Sequence, residues 1–226
     1  MALAGTGAVA IWHDIAPEGR DAFYAWHGQE HMPERIAIPG FRRGRRYVAL
    51  EADLEFFNLY EVSDPSVLTG ADYKARLNDP TPWTVETVRH FRDVARSLCR
   101  VAVSAGSGGG GLVATWRYDV PDDRVADHAD RIAADLLPDI AGRPGVAGAH
   151  LLVADTEASA VDTKERQVRG EANRIPGTAL IIEGWGDVDA FTTLCGETPT
   201  PADFVNAGVD GPVIRGLYRL QASATP

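Results

Sequence analysis

A pattern of prolines and glycines occurs twice in this chain, and it limits what the chain can fold into. The stretch H-M-P-E-R-I-A-I-P-G-F, His31 to Phe41, returns as L-L-P-D-I-A-G-R-P-G-V, Leu136 to Val146. Pro33, Pro39 and Gly40 find Pro138, Pro144 and Gly145. Trp12 in A-I-W finds Trp116 in A-T-W, and N-L-Y-E-V-S-D from Asn58 finds I-I-E-G-W-G-D from Ile181. The matches keep their order on either side of a Gly/Ser linker, residues 106–111. Repetition of this kind means one supersecondary unit used more than once. An internal duplication is therefore expected, with halves at 1–105 and 112–226.

The unit reads as β-α-β-β-α-β. Gly7 to Ile15 is an apolar strand, and Pro17 suits the first turn of a helix that runs to about Met32. Pro33 is expected to end or kink that helix. Strands follow at Arg42 to Leu50 and Leu54 to Val62, joined by a short turn. Asp64-Pro65 starts a second helix reaching about Leu77. Thr84 to Ala95 reads as a further helical segment and Ser97 to Ser104 as the fourth strand. This is the ferredoxin-like split unit. Runs such as V-A-I-W and F-F-N-L-Y are apolar on both faces, and strands of that kind are covered on both sides. The fold expected is α+β: two tandem ferredoxin-like halves packed sheet to sheet as a pseudo-symmetric α+β barrel, with a ligand space between the sheets. The second half carries an insertion, residues 155–177, which is long and charged enough to be mobile or a lid over a barrel opening.

Charge and cysteine content exclude several classes. A net charge of −10 argues against nucleic acid as the main partner. The one strongly basic run, Arg42 to Arg46, is split between two faces by strand alternation. Cys99 and Cys195 have no metal-ligand spacing and fit a reducing cytoplasm. The N-terminal M-A-L-A-G-T-G-A-V lacks the features of a signal peptide. No run approaches the ~18 apolar residues of a membrane span, so no membrane partner is expected.

Chemistry-bearing side chains concentrate between Trp26 and Tyr47. His31 is the best acid/base candidate, because imidazole titrates near neutrality. Glu30 precedes it, and Tyr47 and Arg46 on the next strand could steady a developing oxyanion. His31, Glu30 and Tyr47 are the expected catalytic residues. His13, Trp12, Tyr24, Trp26, His27 and Arg46 are the expected substrate contacts. A plainer reading has His31 and Glu30 pair with the arginines and only fix the helix to the sheet. His27-Gly28-Gln29-Glu30-His31 also matches the H-x-x-E-H pattern of inverted zincins. A zinc site needs a third protein ligand, and none is evident, so no metal is expected.

The residues Trp26-His27, Glu30 to Arg35, Ile38 to Phe41 and Arg45-Arg46-Tyr47 give the first half its resemblance to the dimeric α+β barrel superfamily, particularly its EthD-like members. The second half resembles it by topology more than by motif. The resemblance implies that the barrel and its helix mouth hold a small, often aromatic molecule. Relatives of this kind include oxygenases, isomerases, cyclases and decarboxylases that need no cofactor, and proteins without known activity. The expectation is thus an enzyme without cofactor acting through His31 on a small hydrophobic, oxygen-bearing compound. The alternative is a binding or stress-response protein that uses the same cavity without chemistry. Haem-binding members give a third reading, with no haem motif here. A homodimer stays open beside a monomer. Because Leu136, Ile132 and Leu152 align with His31, His27 and Tyr47, any site is expected in the first half alone.

Overall fold

The computed structural model describes residues 3–226. Eight antiparallel strands close into one barrel in the order β1-β3-β2-β8-β5-β7-β6-β4. The first half supplies β1 (Gly7–Ile15), β2 (Phe41–Glu51), β3 (Phe56–Val62) and β4 (Phe91–Gly106). The second supplies β5 (Leu112–Tyr118), β6 (Val146–Ala154), β7 (Thr178–Gly184) and β8 (Ile214–Ala224). Each half keeps the ferredoxin-like order of its own four strands. The two sheets also hydrogen-bond along both seams, β2 to β8 and β4 to β6. Closure leaves no unpaired strand edge.

Helices cover the outside of the barrel. In the first half, α1 (Arg20–Trp26) runs through a π-helical turn, His27–His31, into α2 (Met32–Ile36). Pro33 therefore does not end the helix. Its ring would clash with the carbonyl four residues back in a regular α-helix, and the wider turn before it removes that contact. The second half does the same thing. Its α5 (Val125–Arg131) passes through a π-helical turn, Ile132–Leu136, into α6 (Leu137–Ala141), with Pro138 in the matching place. Later in the first half come α3 (Ala71–Asn78) and α4 (Pro82–Thr87). The helical segment expected up to Ala95 stops early, because Phe91 already opens β4, which pairs along its length with β1. The insertion forms α7 (Thr156–Ala160) and α8 (Lys164–Arg169). The chain then adds α9 (Val188–Glu197) and α10 (Pro201–Asn206).

Gly40 and Gly145 end the helical layer of each half with positive φ, 96° and 89°. A side chain at Gly40 would meet Val67 at 2.6 Å, whereas at Gly145 the nearest atom is 3.8 Å away. Gly40→Ala is expected to lower stability by more than the about 1–2 kcal/mol of a left-handed alanine, and Gly145→Ala by about that amount. Urea midpoints of the two variants compare them directly.

The strand registers correct two matches made by sequence: Val62 finds Gly184, so Asn58 corresponds to Leu180 rather than Ile181, and the Trp12 match also shifts. A constant offset carries His31 to Leu136, Gly40 to Gly145 and Phe41 to Val146. Phe41 and Gly7 both pair with Val62, and Val146 and Leu112 both pair with Gly184. Gly7 thus corresponds to Leu112, and Trp12 to Arg117 rather than Trp116. The two true counterparts touch: the Arg117 guanidinium lies over the Trp12 ring, 5.2 Å from its centre.

The barrel interior is full. Trp12 stacks on Phe57 at 4.9 Å, Tyr47 stacks on the same ring at 5.5 Å, and Leu59, Leu152, Ile181 and Tyr218 complete the cluster. Trp12 Nε1 donates to Thr115 Oγ1 at 3.2 Å. An eight-stranded barrel is just wide enough for its side chains, and here they use the space. The expected ligand space between the sheets is therefore not there.

Candidate functional site

The cavity that His31 lines sits outside the barrel, between the first-half sheet and its helices. Trp26 forms one wall. Its indole Nε1 donates to Thr84 Oγ1 at 3.1 Å, which ties α1 to α4. The Glu30 carboxylate accepts from Thr81 Oγ1 at 2.6 Å and from Thr84 Oγ1 at 3.2 Å. Glu30 thus braces the tryptophan and does not reach the cavity. The His31 ring lies against Trp26, 4.2 Å between centres. The π-helical turn makes this contact possible, because it shifts the helix register just where the ring emerges.

Three histidines share this face and all are held neutral. His13 is fully buried, accepts from Asn58 Nδ2 at its Nε2 (2.9 Å), and faces the Asp14 carbonyl with Nδ1 at 3.3 Å. Burial is the main cause that lowers its pKa to about 3. His27 Nε2 shares a hydrogen bond of 3.2 Å with the Tyr60 hydroxyl. Burial first, and then the nearby Arg46 cation, hold His27 well below the usual range. Burial and then the Arg35 cation do the same to His31. Nδ1 of His27 and Nδ1 of His31 are buried with no hydrogen-bond partner. The two rings are 5.5 Å apart, but among the described residues no group of three or more metal-ligating side chains gathers anywhere.

The insertion closes the cavity from the other half of the chain. Asp155 N donates to the Leu98 carbonyl and Arg174 N to the Val94 carbonyl, which anchors both ends on β4. Leu98 N donates to Ser159 Oγ of α7. Between these anchors α8 spans the opening and sends Glu165 inward, where its carboxylate accepts from Arg35 Nη2 at 2.6 Å. The lid expected over a barrel opening thus covers this outer cavity instead. The cavity is about 80 Å³, with a floor of Val9, Ile11 and Phe91. A benzene-sized guest needs roughly 150 Å³, so a guest of that size requires α8 to shift outward. Glu165→Ala removes the inward carboxylate and leaves Arg35 with only Glu34, 3.7 Å away. Amide exchange through α8 is then expected to quicken by about tenfold or more, with the barrel strands unchanged. Equal exchange in the variant would mean that the anchors alone hold the lid.

The sequence-selected residues fall into three places. Trp26 and His31 line the cavity. His13, His27, Tyr24 and Arg46 lie on the same helix-facing side of the sheet but behind the lining. There Arg46 packs over the Tyr24 ring at 4.9 Å and donates to Gln221 at 2.8 Å. Trp12 and Tyr47 point the other way, into the barrel core. Their expected convergence with His31 is corrected: Arg46 and Tyr47 are strand neighbours, so their side chains leave on opposite faces. Among the cavity residues that sequence reasoning missed are Arg35, Tyr60, Tyr73, Arg96, Glu165 and Arg169. Arg35, one helical turn after His31, carried a signal that spacing could have shown.

The second half has no equivalent site. Leu136, Ile140 and Ile182 stand where the first half has His31, Arg35 and Tyr60, and they belong to one packed cluster. A larger groove of about 450 Å³ runs between Trp116, Phe204 and Arg215, but neither Leu136 nor Leu152 lines it.

Comparison with known proteins supports the architecture. No protein-family model and no curated protein matches the chain. Among solved structures, an anthrone oxidase-like protein is similar, with a TM-score of 0.57 at 13% identity over 97% of this chain and 92% of its own. A proposed monooxygenase from Lactobacillus acidophilus gives 0.57 at 13% identity, over 97% and 96%. A proposed chlorite dismutase gives 0.52 at 11% identity, over 96% and 94%. The chain thus shares its α+β barrel fold with monooxygenase-type and chlorite dismutase-like structures. At such identity the likeness concerns the fold and not the reaction. Among the described residues no helix is long and apolar enough to cross a membrane.

Proposed function

We propose that the chain is an enzyme that works without a cofactor on a small, hydrophobic, oxygen-bearing compound, with His31 as its acid/base group. The observation that carries this reading is the buried, unpartnered Nδ1 of His31 in the wall of a cavity with an apolar floor. An imidazole that burial keeps neutral has a free lone pair, so it can take a proton from a C–H or O–H of the guest and return it later. The charge left on the guest oxygen would lie near the arginines of the same wall. Isomerisation, cyclisation, decarboxylation and oxygenation all fit this scheme. The names of the anthrone oxidase-like and monooxygenase-type neighbours favour oxygenation. Two buried, unpaired cysteines favour a reducing compartment, and the π-helical turns with matching prolines favour an origin by duplication.

The same low basicity of His31 favours a second reading, binding without turnover. One experiment separates them. Small molecules retained through purification are identified by mass spectrometry. They are then tested, beside a panel of small oxygenated aromatics that includes anthrone, for oxygen uptake and product formation. Turnover lost in His31→Gln supports the enzyme. Tight binding with no turnover by the wild-type protein supports the alternative.

A further inference from the structure

The cavity is unbalanced in charge. Arg35, Arg96, Arg166 and Arg169 reach its wall, and Glu165 is the one carboxylate there. Glu165 is taken by Arg35, and Arg166 is held by Asp162 at 2.8 Å, outside the cavity. Arg96 and Arg169 remain. Arg96 Nη2 donates to the Tyr73 hydroxyl at 2.8 Å. Arg169 Nη2 donates to the Asn173 side chain and to the Glu171 carbonyl. Neither guanidinium pairs with a carboxylate side chain among the described residues, and Nε of Arg169 is buried without any partner. Burial is the main cause that disfavours the charge on Arg169; the Glu165 carboxylate, already bonded to Arg35, opposes it in part, and Arg96 then adds repulsion. Two like charges at a partly desolvated wall are costly unless an anion comes between them.

We propose that this cavity binds a small organic carboxylate, its charge held between Arg96 of β4 and Arg169 of the lid and its apolar body against Trp26 and Phe91. The inference deepens the proposed function and rests on it only for the role of His31. Guanidinium forks match carboxylate geometry, which two lysines in the same places would not. The apolar floor excludes a bare inorganic anion as the natural guest, since Val9, Ile11 and Phe91 offer it nothing. Arg169 belongs to the insertion, so the guest's charge joins the lid to the sheet. A guest larger than the present space has to shift α8, and its charge then holds the lid to the sheet through Arg169, a tie that a neutral analogue does not supply.

The test uses benzoate and its neutral isostere benzamide, titrated by calorimetry into the full chain. Benzoate is expected to bind at least about tenfold more tightly than benzamide, as one charge-assisted contact allows. Arg169→Gln and Arg96→Gln should each weaken benzoate by about fivefold or more and leave benzamide unchanged. His31→Gln should keep the preference for benzoate, because it removes the proton acceptor and not the clamp. Equal affinity for the two probes, absence of benzoate binding, or unchanged benzoate affinity in Arg169→Gln would overturn the proposal. Should Arg96→Gln fail to fold, Arg169→Gln on the solvent-side helix decides alone. Binding without turnover leaves the clamp standing and removes the enzyme. Turnover of neutral compounds without benzoate preference does the reverse.

Discussion

Glu183→Ala is expected to destabilise the chain by about 3–5 kcal/mol, the cost of removing one partner from a buried ion pair. Glu183 on β7 is completely buried at one end of the barrel. Arg45 grips it with two hydrogen bonds, 2.6 and 2.9 Å, and reaches Glu61 of β3 at 2.8 Å. Arg43 holds the other side of Glu61 with two bonds of 2.8 Å. The linker joins in, as Gly110 N donates to Glu183 at 3.1 Å. The alanine variant leaves Arg45 facing Glu61 alone, a buried cation with half its partners gone. Burial pushes the Glu183 carboxyl up, but His150 and Arg45 together outweigh it and hold the group at about 2, against an ordinary 4.5. A carboxyl depressed in the folded state contributes stability that is complete above its unfolded pKa. That contribution fades as pH falls from about 4.5 towards 2. Urea unfolding of wild type and variant at pH 7 and pH 3 measures both effects. The gap between them should narrow at pH 3. A loss under about 1 kcal/mol at pH 7 would mean that water already screens this end of the barrel.

The same barrel explains what could and could not be read in the sequence. The repeat, the break at residues 106–111 and the Pro-Gly turns were legible, because prolines and positive-φ glycines act locally. Strand faces were not. Runs such as V-A-I-W and F-F-N-L-Y place apolar residues on both faces, so they carry no alternation that says which side is core. A slip of one residue exchanges the faces. Residue identity alone therefore aligns Trp12 with Trp116 instead of Arg117, and nothing local shows that Tyr47 lies on the opposite side of the sheet from His31. The polar groups in the barrel were hidden for a related reason. Arg45, Glu61 and Glu183 come from three strands, and only closure brings them together. Within the site, His31 and Trp26 were visible because one helix carries both. Glu165 and Arg169 were not, because they reach the same cavity from the other half of the chain. Glu30 was visible but misjudged, since its partners Thr81 and Thr84 follow a proline-rich break that hid the position of α4.

If the proposed chemistry holds, His31→Gln will show the largest effect of any single change on turnover, a loss of about 10²–10⁴-fold in kcat. Glutamine fills similar space and can still form hydrogen bonds, but it cannot carry a proton. His27→Gln is the matched control. His27 is buried behind the lining, and its Nε2 is already hydrogen-bonded to Tyr60, so its loss should cost less than about tenfold, through packing alone. The pH profile tests the same assignment independently. His31 in the free protein stays well below 6.5, by burial first and by Arg35 next. The base form is therefore complete at neutral pH. The kcat/KM value should be flat through 6.5 and fall only at much lower pH. A bound carboxylate beside the ring favours the protonated imidazole and raises its pKa. The acid limb of kcat should then begin at a higher pH than that of kcat/KM, and Arg169→Gln, by loosening the anion, should bring the two limbs together. An inflection of kcat/KM at 6.5 would place the working imidazole in water rather than against Trp26. Equal losses in His27→Gln and His31→Gln would make both rings packing elements and end the case for acid/base chemistry at this cavity.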